Sequence, residues 1–236
     1  MITYFATDKP REEAARLLSL WLREYEGRSV LLLLSGGSAL SFLDLVRIPS
    51  HSKLTISTLD ERFSPDPEVN NFLQLAETRF FAHAVEEGVI MLPSIPLDHE
   101  TLAHFTKRLE EGIATGQRKH KNGVILATQG IGRDGHTAGI LPTPEEPELF
   151  TERFEKNPIL VGYEMRAGML TFQERVTVTF PFLMGSVERS LVFVTGSEKA
   201  PMLRYLKEVH PRAKYPMMVL NDMRHVALVT DEGGAF

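Results

Sequence analysis

The sequence predicts an α/β fold with a largely parallel sheet flanked by helices. Short aliphatic or β-branched runs alternate with helical patterns along most of the chain. Glycine-rich segments close several of those runs, as strand-to-helix connections require. No repeat, low-complexity tract or composition break interrupts the pattern, so a single domain covering residues 1–236 is expected.

The elements follow in order. Residues 10–26 read as a helix, because Pro10 suits a first turn and Ala14, Leu17, Leu18, Trp21, Leu22 and Tyr25 share one face. Residues 29–34 form a buried strand, followed by Ser35-Gly36-Gly37-Ser38 and a short apolar helix over 39–47. A strand over 54–59 ends at Asp60-Glu61-Arg62; after a proline-containing loop a helix starts near Asn70. A short strand at 88–91 precedes a helix over 99–113, with Leu102, Phe105, Leu109 and Ile113 along one side. The strand at 123–128 is closed by the glycine-rich stretch 130–135. Strict alternation marks a strand at 175–180, and 191–195 is another, followed by a helix over 197–208. A last strand spans 225–230.

Composition excludes several classes of function. The chain has 236 residues, 24% charged and 43% hydrophobic, which is ordinary for a globular protein. A chain of this size buries roughly 70–75% of its unfolded surface and needs no staples. It has no cysteine, which removes disulfides, thiolate zinc sites, iron–sulfur clusters and a cysteine nucleophile, and fits a reducing compartment. The aliphatic run 30–34 is far too short to span a bilayer. Asp8, Lys9, Arg11, Glu12 and Glu13 give the first residues the wrong composition for a signal peptide. A soluble, cytoplasmic protein without a membrane partner is expected. Lys plus Arg is 26 against 31 Asp plus Glu, a formal charge of −5, which argues against nucleic acid as a partner. The basic cluster Arg118-Lys119-His120-Lys121 reads as a solvated loop.

Ligands in such sheets collect at the carboxyl ends of the strands. Ser35 to Ser38 fits either a tight turn capped by Ser38 or a cradle of backbone amides for an anion. Ser197 as a helix N-cap would place Lys199 in the first turn, where a cation opposes the helix dipole by about 0.3–1 kcal/mol. A bound anion would offset that, and so would the neighbouring Glu198. Arg62 and Arg175 lie beside two further strand ends. Each alone reads as a surface arginine, but with the two loops they make the cations and amides a phosphate requires.

Gly130-Ile131-Gly132-Arg133-Asp134-Gly135 formally matches a dinucleotide fingerprint, which needs a long helix directly afterwards. Pro142, Pro144 and Pro147 limit any such helix to about two turns, so dinucleotide binding is disfavoured. Asp134-Gly135-His136-Thr137 instead sets a carboxylate two residues before an imidazole in a flexible loop, the arrangement of an oriented general base. The other histidines, at 51, 83, 99, 104, 120, 210 and 225, show neither HxH spacing nor an HExxH motif, and no metal site or cofactor is expected. No serine lies in a GxSxG elbow, which disfavours a serine hydrolase.

Leu-Ser-Gly-Gly-Ser at 34–38, Leu-Asp-Glu-Arg-Phe at 59–63, Gly-Ile-Gly-Arg-Asp-Gly-His-Thr-Ala at 130–138 and Gly-Ser-Glu-Lys-Ala at 196–200 together resemble the superfamily of 6-phosphogluconolactonases and glucosamine-6-phosphate deaminases/isomerases. The resemblance implies a modified doubly wound sheet. It also offers a discriminator between the branches. The deaminases typically read DGHIAFNEP with a catalytic glutamate, whereas this chain reads DGHTAGILP and puts Leu141 at that position. Asp-Glu-Arg at 60–62 resembles the lactonase motif, where deaminases tend to show DEY. Three stretches depart from the family pattern: Ala39-Leu40 for Thr-Pro, Asn70-Asn71 for Ser-Asn, and Gly139 for a serine.

The expected function is therefore hydrolysis of 6-phospho-D-glucono-1,5-lactone to 6-phosphogluconate in the oxidative pentose phosphate pathway. His136 would activate water, with Asp134 orienting it. Ser35, the Gly36–Gly37 amides, Ser38, Arg175 and Lys199 would receive the phosphate, and Arg62 or loop amides the developing oxyanion. Asp60 belongs to the site by resemblance, its role open. The alternatives are a deaminase/isomerase in which Asp60 takes a proton from C2, and a non-catalytic sugar-phosphate binder.

Overall fold

Ser-Val-Leu-Leu-Leu-Leu at 29–34 has no polar face, and a strand of that kind is stable only where helices cover both sides of a sheet. The computed structural model describes residues 1–50, 53–119, 123–157, 159–165 and 174–233. Its strands are β1 (Ile2–Ala6), β2 (Ser29–Leu34), β3 (Lys53–Thr58), β4 (Asp60–Arg62), β5 (Ile90–Met91), β6 (Val124–Gln129), β7 (Leu160–Glu164), β8 (Glu174–Val178), β9 (Val187–Val194) and β10 (Val226–Thr230). Its α-helices are α1 (Pro10–Glu24), α2 (Asn71–Ala76), α3 (Arg79–Glu86), α4 (Leu102–Lys119), α5 (Pro147–Phe154), α6 (Phe180–Gly185) and α7 (Ala200–Tyr205). Gly37–Leu45, Ser197–Lys199 and Pro216–Asn221 are 3₁₀ segments.

Seven strands form one sheet in the order β1-β10-β9-β6-β2-β3-β5, with every pairing parallel. Its two faces bury different residues of the same strands. Val30, Leu32 and Leu34 of β2 pack with Leu18, Leu22 and Phe42, while Leu31 and Leu33 pack with Phe105, Phe150 and Phe182. β6 and β10 divide in the same way. Each such side chain contributes about 1.5–3 kcal/mol when fully buried. From β2 the sheet continues one way through β3 and β5 and the other way through β6 and β9. The β2–β6 boundary is thus where winding reverses and a crevice opens at the carboxyl ends.

A second sheet, β4-β8-β7, is antiparallel. Leu59 joins the two: its N–H donates to Leu34 O, and its carbonyl accepts from Val178 N. The chain therefore passes from the parallel sheet into the small one within a single residue. Asp60–Arg62 is held across the carboxyl end of the large sheet.

The structure departs from the sequence expectations at several elements. The antiparallel sheet was not anticipated, nor were β1, β7, α3, α5 and α6. The helix expected over 39–47 is 3₁₀ and starts at Gly37, with Gly36 rather than Ser38 at its cap. The helix expected over 197–208 is a 3₁₀ turn followed by α7; Gly196, not Ser197, precedes it, and Lys199 is the N-cap of α7, with Pro201 in that helix's first turn. The side chains of the basic cluster at 118–121 lie outside the described residues.

Candidate active site

Connections leaving β2, β3, β6 and β9 surround a cavity of about 430 Å³ at the carboxyl edge of the large sheet. Every residue singled out from the sequence lines it: Ser35, Gly36, Gly37, Ser38, Asp60, Arg62, Asp134, His136, Arg175 and Lys199. Ser35 is committed elsewhere, since its N–H donates to Thr128 Oγ1 at 3.0 Å and its hydroxyl to Thr128 O at 2.8 Å. It stitches the end of β2 to β6. Gly37 and Ser38, by contrast, are exposed.

The His136 ring meets Asp134 at 2.6 Å (Nδ1 to Oδ1), and the His136 backbone N–H donates to the same oxygen at 3.1 Å. With Nδ1–H given to the carboxylate, Nε2 is the nitrogen left as a base. Burial pushes Asp134 up, but the hydrogen bond and charge of His136 and backbone amides outweigh it and hold the carboxylate below its ordinary value. The loop is fixed from behind: Gly132 N donates to His136 O at 2.9 Å, and Thr137 Oγ1 donates to Gly130 O at 2.8 Å and Gln129 Oε1 at 3.1 Å. A side chain at Gly132 would overlap the His136 ring, so the close pairing requires glycine there.

Residues 137–140 form a tight turn with positive φ at Ala138 (50°) and Gly139 (67°), closed by Ile140 N donating to Thr137 O at 2.8 Å. A left-handed alanine costs about 1–2 kcal/mol. The small sheet holds the turn there: Thr177 Oγ1 donates to Ala138 O and Tyr163 OH to Gly139 O. Burial pushes the Tyr163 phenol up, keeping it a donor. A Cβ on Gly139 would lie 2.5 Å from Asp60 Oδ2, so the missing side chain makes room for that carboxylate. Leu141 completes this wall of the cavity.

β4 and β8 present Asp60, Arg62, Arg175 and Thr177 to one side, with Asp60 opposite Thr177 and Arg62 opposite Arg175. Arg62 Nη1 donates to Val69 O and to Asn71 Oδ1, each at 2.9 Å, and Asn71 Nδ2 donates to Asp60 O at 2.9 Å. The Nε atoms of both arginines are buried without a hydrogen-bond partner among the described residues. Glu61 points the other way and is 1% exposed. Its Oε1 accepts from Asn71 N and Arg62 N, its Oε2 from Phe72 N and Ser94 Oγ. Burial raises its carboxyl to about 7 against the pull of these four donors.

On the far side of the crevice, Lys199 has no ion-pair partner among the described residues, whereas Arg133 meets Glu198 at 3.5 Å. No group of three or more His, Asp or Glu side chains is placed to hold a metal among the described residues. No helix follows the glycine-rich stretch until α5, so a dinucleotide pyrophosphate has no helix end to dock on. No described helix is long and apolar enough to cross a membrane.

The profile of the family described as Glucosamine-6-phosphate isomerases/6-phosphogluconolactonase matches residues 9–229. The chain belongs to that family. Among solved structures, a 6-phosphogluconolactonase from Thermotoga maritima is similar at 20% identity and a TM-score of 0.73, with 98% of each chain covered. Those from Shewanella baltica (17%, TM-score 0.70, 98% of this chain and 96% of that one) and Trypanosoma brucei (18%, 0.69, 98% and 96%) share the same fold. No curated protein sequence matches.

The departures from the glucosamine-6-phosphate isomerase/6-phosphogluconolactonase pattern now have places. Ala39 is buried and Leu40 packs against the core cluster of β2. Asn70 is buried and caps α2 by accepting from Leu73 N at 2.9 Å. Neither change faces the cavity. Gly139 does. Sequence reasoning missed Glu61, Asn71, Tyr163 and Thr177 as parts of the site, because each acts through hydrogen bonds between different elements that no local pattern reveals.

Proposed function

We propose that the protein hydrolyses 6-phospho-D-glucono-1,5-lactone to 6-phosphogluconate, the lactone-opening step of the oxidative pentose phosphate pathway. The observation that carries this reading is the Asp134–His136 pair, with Nε2 unengaged among the described residues, in a cavity whose wall holds Leu141. An aliphatic side chain cannot transfer the proton that ring opening of an amino sugar demands at that position.

His136 Nε2 takes a proton from water as the water oxygen adds to the lactone carbonyl carbon. Asp134, ionised throughout, stabilises the imidazolium. The tetrahedral oxyanion then collapses, the bond from C1 to the ring oxygen breaks, and the imidazolium returns its proton to that oxygen. The carboxylic acid product ionises to 6-phosphogluconate. General-base help of this type is worth about a hundred- to ten-thousandfold. The phosphate is received by the Gly36 and Gly37 amides, Ser38, Arg175 and Lys199, and Arg62 lies within the same wall to stabilise negative charge. Ser35 contributes by holding the phosphate loop against β6.

The test is a side-by-side assay of freshly made lactone and glucosamine 6-phosphate, with chelator present. Enzyme-dependent lactone opening without ammonia release is expected. Ammonia from glucosamine 6-phosphate would transfer the protein to the deaminating branch, and tight phosphosugar binding with no turnover would make it a binding protein.

A further inference from the structure

We propose that Glu61 is a positioning residue of the site: from beneath the cavity it clamps the start of α2 so that Asn71 fixes the Arg62 guanidinium. The geometry is a closed circuit. Glu61 Oε1 accepts from the backbone of Arg62 at 2.9 Å and of Asn71 at 2.6 Å, so one oxygen ties β4 to α2. The Asn71 side chain returns to β4 through Asp60 O and Arg62 Nη1. Glu61 Oε2 is anchored by Phe72 N and Ser94 Oγ, and Ser94 Oγ lies 2.7 Å from Thr58 Oγ1 at the end of β3.

Nothing in this circuit below Arg62 and Asn71 touches the cavity. Such a carboxylate costs several kcal/mol to desolvate, which simple packing of three charged residues in a row does not require. What it secures is the direction of one arginine. A glutamine at 61 keeps the acceptor toward Arg62 and Asn71 but turns an amide donor toward Phe72 N–H, so the clamp loosens while the volume is conserved.

The test combines a ligand-free signal with a double-mutant cycle. The buried Arg62 Nε–H should give a slowly exchanging NMR resonance, assigned by its loss in Arg62→Lys. In folded Glu61→Gln that resonance should shift or vanish; its persistence unchanged would overturn the proposal. Glu61→Gln should also lower lactone kcat/KM roughly ten- to hundredfold. The same change in an Arg62→Lys background should add almost nothing, because the two act as one unit. Additive losses would make Glu61 merely structural. If Glu61→Gln does not fold, Ser94→Ala removes one anchor of the same carboxylate and is read in the same two ways. The cycle rests on the proposed lactonase reaction, whereas the resonance does not. Absence of turnover in the wild type would therefore sink the reaction and leave the role of Glu61 to be decided by the NMR signal.

Discussion

Arg62 and Arg175 stand directly opposite each other across the β4–β8 pairing. The neighbouring pair is hydrogen-bonded, with Phe63 N donating to Glu174 O at 3.0 Å, so the arginines occupy a non-hydrogen-bonded site, where side chains approach most closely. Like charges so placed destabilise a sheet by about 0.2–1 kcal/mol, and both buried Nε–H groups lack partners among the described residues. An anion between them removes both penalties. Arg175→Met should therefore leave the ligand-free melting temperature unchanged or raise it by about 2–4 °C per kcal/mol relieved. Phosphate is expected to raise the melting temperature of the wild type, and the same variant should lose that rise. A lower ligand-free melting temperature with phosphate protection intact would show that Arg175 is structural.

Lys199 tests the other side of the crevice. It sits at the cap of α7, where a cation gains nothing from the helix, and no described residue pairs with it. Lys199→Ala should raise KM for the phosphorylated lactone while sparing an unphosphorylated lactone. Equal losses on both substrates would remove Lys199 from phosphate recognition.

The acid–base assignment makes a linked pair of predictions. His136→Ala should cut lactone turnover at least about a hundredfold without loss of the fold, since the ring is 42% exposed and fills no core space. Asp134→Asn should reduce kcat by about as much, because an amide presented to Nδ1 favours the tautomer that protonates Nε2. Near-normal turnover in either variant, measured at saturating lactone, contradicts the mechanism.

How far the sequence could anticipate this arrangement depended on the reach of each interaction. β2, β6 and β10 were legible because a strand buried on both faces must be apolar throughout, and that leaves an unbroken run. The loops after β2 and β6 were legible because their glycines mark sharp turns at the strand ends. The β4-β8-β7 sheet was not. β4 is three charged residues, β7 contains Gly162, and β4 pairs with β8, more than a hundred residues further along the chain. Separations of 24 to 39 residues likewise hid the hydrogen bonds of Thr177 and Tyr163 to the turn at Ala138–Gly139, and of Glu61 to Ser94. Local pattern also pointed to Ser197 and Ser38 as caps, whereas Gly196 and Gly36 take those positions and Pro201 stands in the first turn of α7.

Gly139 is the one departure from the family pattern that reaches the cavity. Its φ of 67° and the nearness of Asp60 both oppose a side chain there. Gly139→Ser should displace the Asp60 carboxylate and lower kcat/KM at least about tenfold, with a stability loss of about 1–2 kcal/mol from the backbone alone. In an Asp60→Ala background the serine should cost only the backbone strain. A Gly139→Ser variant with wild-type kinetics would show that Asp60 moves freely and that the contact has no bearing on catalysis.

Glu61 also sets a pH dependence of stability, and its sign is opposite to that of most acidic residues. In the folded protein burial raises its carboxyl to about 7 from an ordinary value of 4.5. Between those values the folded chain holds a proton that the unfolded chain has released, so stability falls as pH rises. The contribution is complete below about pH 4.5, shrinks through neutrality and is gone above pH 7, with a total of about 3 kcal/mol at most. Asp134 runs the other way: its depressed value makes its contribution disappear as pH falls below the ordinary aspartate range, outside the window of Glu61. Other titrating groups are common to the wild type and Glu61→Gln, so the difference between the two isolates this carboxyl. The wild type should lose stability relative to Glu61→Gln as pH is raised from 4.5 to 8, read from denaturant melts at closely spaced pH values. A difference that stays flat, or grows in favour of the wild type, would mean that the four hydrogen bonds to Glu61 keep it ionised in the folded state and that desolvation does not dominate.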